Sequence, residues 1–377
     1  MASLTPAAFT APLNPPEIWR NDDLLLTEAS RIRLGAEYPG ALRAFDMPEL
    51  RALFIQFDTA ANSSRRRRQR SGLFAVLIAA LGAMLSAILP VVEPLGGEMS
   101  RLWFAVSAFL SLAGLIYAFW LALTDQHKLA WLTHRLRTER LRQFYFQLLL
   151  SDPQLAARAM RDDAALETWR ARQRAALEAF EAWLASPMRS QLNAVMEDVN
   201  HRELWQMAAW KDSVKLPRTA DLGAYFAILR RQRLQVQLAY VREKLAPGFG
   251  SALSHLTAVQ IISWVTAIAA TLLVTATALL LFGGGEMGSP PFRVLVSLTA
   301  FLGVLSIAAR VIGEGLNLKA DVARYRWYRE ATEEMDARLN DPDPRVRLAT
   351  LREFEHLSYR ELREFLKAHD EARFNFA

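Results

Sequence analysis

Four long apolar blocks stand out from an otherwise charged sequence. Leu73 to Val92 contains no charged residue and follows five arginines, Arg65, Arg66, Arg67, Arg68 and Arg70. A helix rising 1.5 Å per residue needs about 20 residues to cross a hydrocarbon core of ~30 Å, so this block predicts a transmembrane span. Glu93 to Arg101 makes a short polar loop. Leu102 to Leu123 then forms a second block, with Trp103 and Trp120 near its ends, where interfacial aromatics belong. The pattern recurs at Leu256 to Phe282. After the loop Gly283 to Arg293 it recurs again at Val294 to Ala309, extended through Arg310 to Ile312. Arg310 cuts the last block short; there it can snorkel to the interface, and Glu314 one turn on is a partner for it. The spacing predicts an all-α integral membrane protein with two transmembrane hairpins, four spans in all, and long amphipathic cytoplasmic helices.

The polar stretches read as further helices. Trp19 to Tyr38 is expected to be helical up to Pro39-Gly40, and Ala41 to Phe45 is short. Met47 to Ala61 is amphipathic, with Asp46 as N-cap and Glu49 three residues on. After the second span, Asp125 to Leu150 forms one long helix, interrupted by Asp152-Pro153. Gln154 to Ala185 is the next, and Ser186-Pro187 starts another that runs to about Lys211. Lys215 to Arg218 reads as a linker, and Ala220 to Ala246 as a helix ended by Pro247-Gly248. Beyond the fourth span the helix continues to about Leu339. Asp341 to Pro344 makes a turn, and a last helix covers Arg345 to about Arg373. The expected organisation is a lead-in at 1–40, a first hairpin unit at 41–150, a cytoplasmic helical region at 151–219 and a second hairpin unit at 220–377.

Composition narrows the chemistry. The 377 residues include no cysteine, which excludes disulfides, cysteine zinc sites, iron–sulfur clusters and thiol nucleophiles. The net charge of +6 would suggest nucleic acid in a soluble protein. Here the arginines flank apolar blocks, and the positive-inside rule and anionic headgroups account for them without nucleic acid. Arg65 to Arg70 therefore places the start of the first span on the cytoplasmic side. The cluster Lys128, Arg135, Arg137, Arg140 and Arg142 does the same for the end of the second, and Lys319, Arg324, Arg326 and Arg329 for the end of the fourth. Both termini are then cytoplasmic. Met1 to Trp19, with Pro6, Pro12, Pro15 and Pro16, lacks the basic and apolar parts of a signal peptide.

No nucleotide-binding, metalloprotease or serine-hydrolase motif occurs, so no enzyme activity, catalytic residue, metal site or cofactor is expected. His127 and His134 are seven apart and read as solvated or packed rather than as a metal pair. Asp162, Asp163, Glu197 and Asp198 read as surface ion pairs. No span holds a deep charge of the kind a coupled transporter uses. The third span carries Ser263, Thr266, Thr271 and Thr275. These hydroxyls are either pore-lining or a means of close helix packing, as are Gly303, Ser306, Ala309 and Gly313 on the fourth.

A weak repeat relates the helices that leave the two hairpins. Trp131, Arg135 and Glu139 match Tyr325, Arg329 and Glu333 in type and spacing, each three falling along one helix face. The hairpin followed by AWLTHRLRTERLRQFYF (Ala130 to Phe146), the stretch YRWYREATEEMDARL (Tyr325 to Leu339) and the tail REFEHLSYRELREFLKAHDEARF (Arg352 to Phe374) resemble the SLATT superfamily of two-helix membrane domains from bacterial conflict and nucleotide-signalling systems. The resemblance implies two tandem copies in a bacterial inner membrane, and a pore-forming effector of bacterial defence. Family members are often coupled to a nucleotide sensor. No recognisable sensor domain precedes the first hairpin, so the trigger would come from the helices between the hairpins or from a separate signalling protein. Four spans enclose too little space for a pore, so a homo-oligomer in the lipid bilayer is expected. The alternative is a membrane-anchored scaffold or sensor without a conduction path.

Overall fold

The computed structural model describes residue 21 and residues 23–124, 126–202, 210, 216–248 and 250–374 of the 377-residue chain. Among the described residues the protein is all-α, without strands, and holds four helices long and apolar enough to cross a membrane. In chain order the helices are α1 (Glu28–Glu37), α2 (Ala41–Phe45), α3 (Pro48–Val92), α4 (Gly97–Thr124), α5 (Gln126–Ser151), α6 (Pro153–Ala159), α7 (Asp163–Leu184), α8 (Met188–Glu197), α9 (Ala220–Leu229), α10 (Val236–Leu245), α11 (Ala252–Phe282), α12 (Pro290–Gly315), α13 (Leu318–Arg338) and α14 (Pro344–Glu371).

Several boundaries differ from the sequence expectation, each for a local reason. The helix expected from Trp19 begins only at Glu28, where Thr27 and Ser30 form a reciprocal cap; Trp19 itself lies outside the described residues. Asp46 closes α2 and pairs with Arg51. The amphipathic run and the first span are one 45-residue helix, and Pro90, inside its last turn, does not end it. The stretch Gln154 to Ala185 is two helices, because Asp162 accepts from the Ala164 and Ala165 amides and starts α7 afresh. The helix after Pro187 stops at Glu197; Lys211 and Lys215 lie outside the described residues. Ala220 to Leu245 is helical, but Arg230 to Gln235 widens into a π-turn. Asn317, with φ of 56°, interrupts what was expected as a continuous fourth span and exit helix. Asn is among the few side chains that tolerate this left-handed backbone.

The chain divides into two compact units. The first comprises 1–63, 129–246 and 323–367. Its interior is aromatic and tied to backbone. Trp169 Nε1 and Gln173 Nε2 both donate to the Ala44 carbonyl at 2.9 and 3.1 Å, and Tyr145 donates to that of Phe45 at 2.7 Å. Gly40 starts α2 at φ of 86°, and a Cβ there would lie 2.2 Å from the Met160 carbonyl oxygen, so only glycine fits. One apolar cluster joins Trp131, Leu132 and Leu136 of α5 to Leu192 and Val195 of α8 and Tyr359, Leu362 and Leu366 of α14.

The second unit comprises 64–128, 247–322 and 368–377, and it contains the apolar parts of all four long helices. Their outer faces carry exposed Phe109, Leu115, Ile116, Phe119, Trp264, Leu272 and Leu279. In water such a surface would be far larger than a soluble protein tolerates, whereas lipid solvates it. Inside the unit, Val76 and Ala80 of α3 meet Ala308 and Val311 of α12.

Candidate functional site

The hydroxyl residues of α11 separate into two faces. Thr266 is buried; its Oγ1 donates to the Ile262 carbonyl at 2.7 Å, and the neighbouring Ser263 carbonyl lies 3.5 Å from Ser306 Oγ on α12. Thr266 therefore belongs to the α11–α12 seam, and Ser263, half-buried, meets it through its backbone carbonyl. Thr271 and Thr275 are exposed, and each donates to the carbonyl one turn back at 2.9 Å. Their spacing places them in a stripe with Trp264, Ile268, Leu279 and Phe282, all exposed. Each threonine satisfies its own donor and still presents lone pairs outward, so this stripe is an apolar face with a polar centre. On α12, Gly313 would bring a Cβ within 3.0 Å of Val259, whereas Gly303 faces open space.

The first hairpin is held by its own means. A Cβ on Gly82 would lie 2.4 Å from the Ser111 backbone nitrogen, and one on Gly114 2.6 Å from that of Ala79. Backbone thus meets backbone where α3 crosses α4. Trp103, expected at the interface, donates to the Leu85 carbonyl at 2.8 Å and pins α4 to α3.

The two matched stripes occupy different surroundings. Trp131 is buried edge-on against Phe365. Glu139 lies between Arg135 at 2.5 Å and Arg142 at 2.6 Å, and Arg142 also pairs with the fully buried Asp23 at 2.6 Å. Phe54 covers the Arg142 guanidinium at 5.1 Å. Burial pushes the Glu139 carboxyl up, but the two arginines more than reverse this and hold it at about 2. Burial likewise raises Asp23, opposed by Arg142. In the second stripe, Tyr325 shares a 3.1 Å hydrogen bond with the Tyr240 hydroxyl. Glu333 pairs with Arg242 at 2.9 Å, both half-exposed. Arg329 is partly buried.

A second buried pair was not visible from spacing. The π-turn carries Arg233, whose guanidinium makes two bonds to Glu355 of α14, at 2.6 and 3.1 Å, and lies over the Phe146 and Phe354 rings. Burial works against the Arg233 charge and Glu355 more than restores it. The only sequence hint was a cluster of arginines in a segment otherwise apolar enough to be buried. Lys128, Arg140 and Arg142, read as a basic membrane flank, are buried too. By contrast, Arg65, Arg66, Arg67 and Arg70 are exposed. Arg310 pairs with Glu314 at 2.8 Å on an exposed surface. His134 stacks on Phe57, and burial lowers its pKa. Among the described residues no group of three or more His, Asp or Glu is placed to hold a metal ion. Comparison of the chain with protein-family models, with curated proteins and with solved structures finds no match.

Proposed function

We propose that the chain is a multi-pass protein of a bacterial inner membrane that assembles into a homo-oligomeric pore, with helix α11 facing the axis. The observation that carries this reading is the exposed stripe of α11, where Thr271 and Thr275 sit between Ile268 and Leu279. A ring of such stripes would make a path with a hydroxyl-lined centre and apolar constrictions, and apolar constrictions gate by dewetting. The resemblance of the post-hairpin stretches to SLATT domains supports a defence effector driven by a separate signalling or sensor protein. Bilayer recordings on protein reconstituted at a measured subunit number test it. A ring of four or more chains with discrete conductance, reduced by Thr271→Leu or Thr275→Leu, is expected. A monomer or dimer without conductance overturns it.

The second reading is a membrane-anchored scaffold or sensor. Thr266 favours it, because its side chain is buried and its hydroxyl is satisfied within a single hairpin.

A further inference from the structure

The seven residues Ala368 to Phe374 make an unusual number of specific contacts for a segment that leaves helix geometry after Glu371. The Phe374 ring passes between two glycines from different hairpins. A Cβ on Gly72 of α3 would come within 2.4 Å of the ring, and one on Gly315 of α12 within 2.2 Å. Arg68 of α3 lies over the ring at 6.0 Å and donates to the Ala372 carbonyl at 2.9 Å. Asn317, at the joint between α12 and α13, donates to the Ala368 carbonyl at 2.9 Å. His369 meets Asp321 at 3.1 Å, and Lys128 lies 3.9 Å from Asp370. One short segment thus holds the middle of α3 and the C-terminal end of α12 together.

The contact it reinforces is slight. Beneath the ring, α3 and α12 meet through Val76, Ala80, Ala308 and Val311, with Met84, Val304 and Ile312 at the margin. Small side chains bury little area, whereas one phenylalanine contributes as much as 150–250 Å². The strap also ends in three residues without regular structure, 372–374, so withdrawing Phe374 breaks no helix.

From these contacts we propose that Ala368–Phe374 is a latch that fastens the first hairpin to the second, and that its withdrawal is the step that lets α3 part from α12. This does not rest on conduction, because it concerns the distance between two helices.

The chain has no cysteine, so introduced thiols report cleanly. Leu77→Cys with Ile307→Cys places spin labels on exposed positions of α3 and α12. Leu77→Cys with Leu112→Cys is the control pair within the first hairpin. In lipid nanodiscs the intact chain should give one narrow distance for both pairs. Phe374→Ala, truncation after Glu371, and Gly315→Leu, which evicts the ring without removing it, should each broaden the α3–α12 distance to longer values and leave the control pair unchanged. An unchanged α3–α12 distance in all three variants overturns the latch. Broadening of the control pair as well also overturns it, since the segment would then be a structural part of the bundle and not a releasable fastening.

Discussion

Hairpin α3–α4 is joined backbone to backbone through Gly82 and Gly114, while hairpin α11–α12 is joined mainly by side chains, with Thr266 buried and Ser306 reaching toward Ser263. The contrast continues into the helices that leave them. Glu139 of α5 is enclosed between two arginines, but Glu333 of α13 makes one half-exposed pair. The two stretches that look like copies therefore differ in how far their matched acids are enclosed, although the second half has a buried pair of its own, Arg233 with Glu355.

The largest test of this contrast is at the charges. Glu139→Ala leaves Arg135 and Arg142 without their shared carboxylate, and removing one member of a buried pair costs about 3–5 kcal/mol. Glu333→Ala should cost under about 1 kcal/mol, as exposed pairs do. Equal losses in denaturant melts of the two variants would erase the distinction. At the seams, Gly82→Leu or Gly114→Leu should destabilise by about 3 kcal/mol or more through overpacking. Gly303→Leu, facing open space, should change stability by less than about 1 kcal/mol.

Acid titration sharpens the comparison further. Glu139 is held at about 2 in the folded protein, below its ordinary 4.5. Its contribution is therefore complete above about 4.5 and disappears as pH falls through about 2. Wild type should lose its stability advantage over Glu139→Gln across that window. A smaller effect than at Glu139, Gly82 or Gly114 is expected at Trp103. Trp103→Phe removes one hydrogen bond to Leu85 and should cost about 1 kcal/mol in the first hairpin.

Much of the architecture was legible because hydrocarbon imposes a simple rule. A span must be apolar for about 20 residues, and Leu73 to Val92 or Leu256 to Phe282 announce themselves on that ground. The breaks were less visible. Nothing in the apolar pattern marks Asn317 as left-handed or Asp162 as a cap inside a strongly helical run; both depend on one side chain. The arginines were the hardest to read. Arg65 and Arg142 look alike in a sequence, yet one is exposed and the other buried against Asp23, a residue more than a hundred positions away. Periodicity reports which face a residue lies on, and a buried ion pair is decided by what comes to meet that face. The α11 hydroxyls show the same limit. Spacing puts Thr266 on the opposite side of the helix from Thr275, but only packing shows which of the two sides is buried.

A pore lined by α11 requires the exposed stripe of that helix to face water in the assembled protein. A single introduced thiol, Thr275→Cys, reports on it directly in proteoliposomes. A membrane-impermeant, water-soluble thiol reagent should label this position and reduce ion flux, while Ala276→Cys, exposed and about 100° further round the same helix, stays unlabelled. Flux that persists with Thr275→Cys inaccessible, or accessibility equal at both positions, would contradict a pore lined by α11.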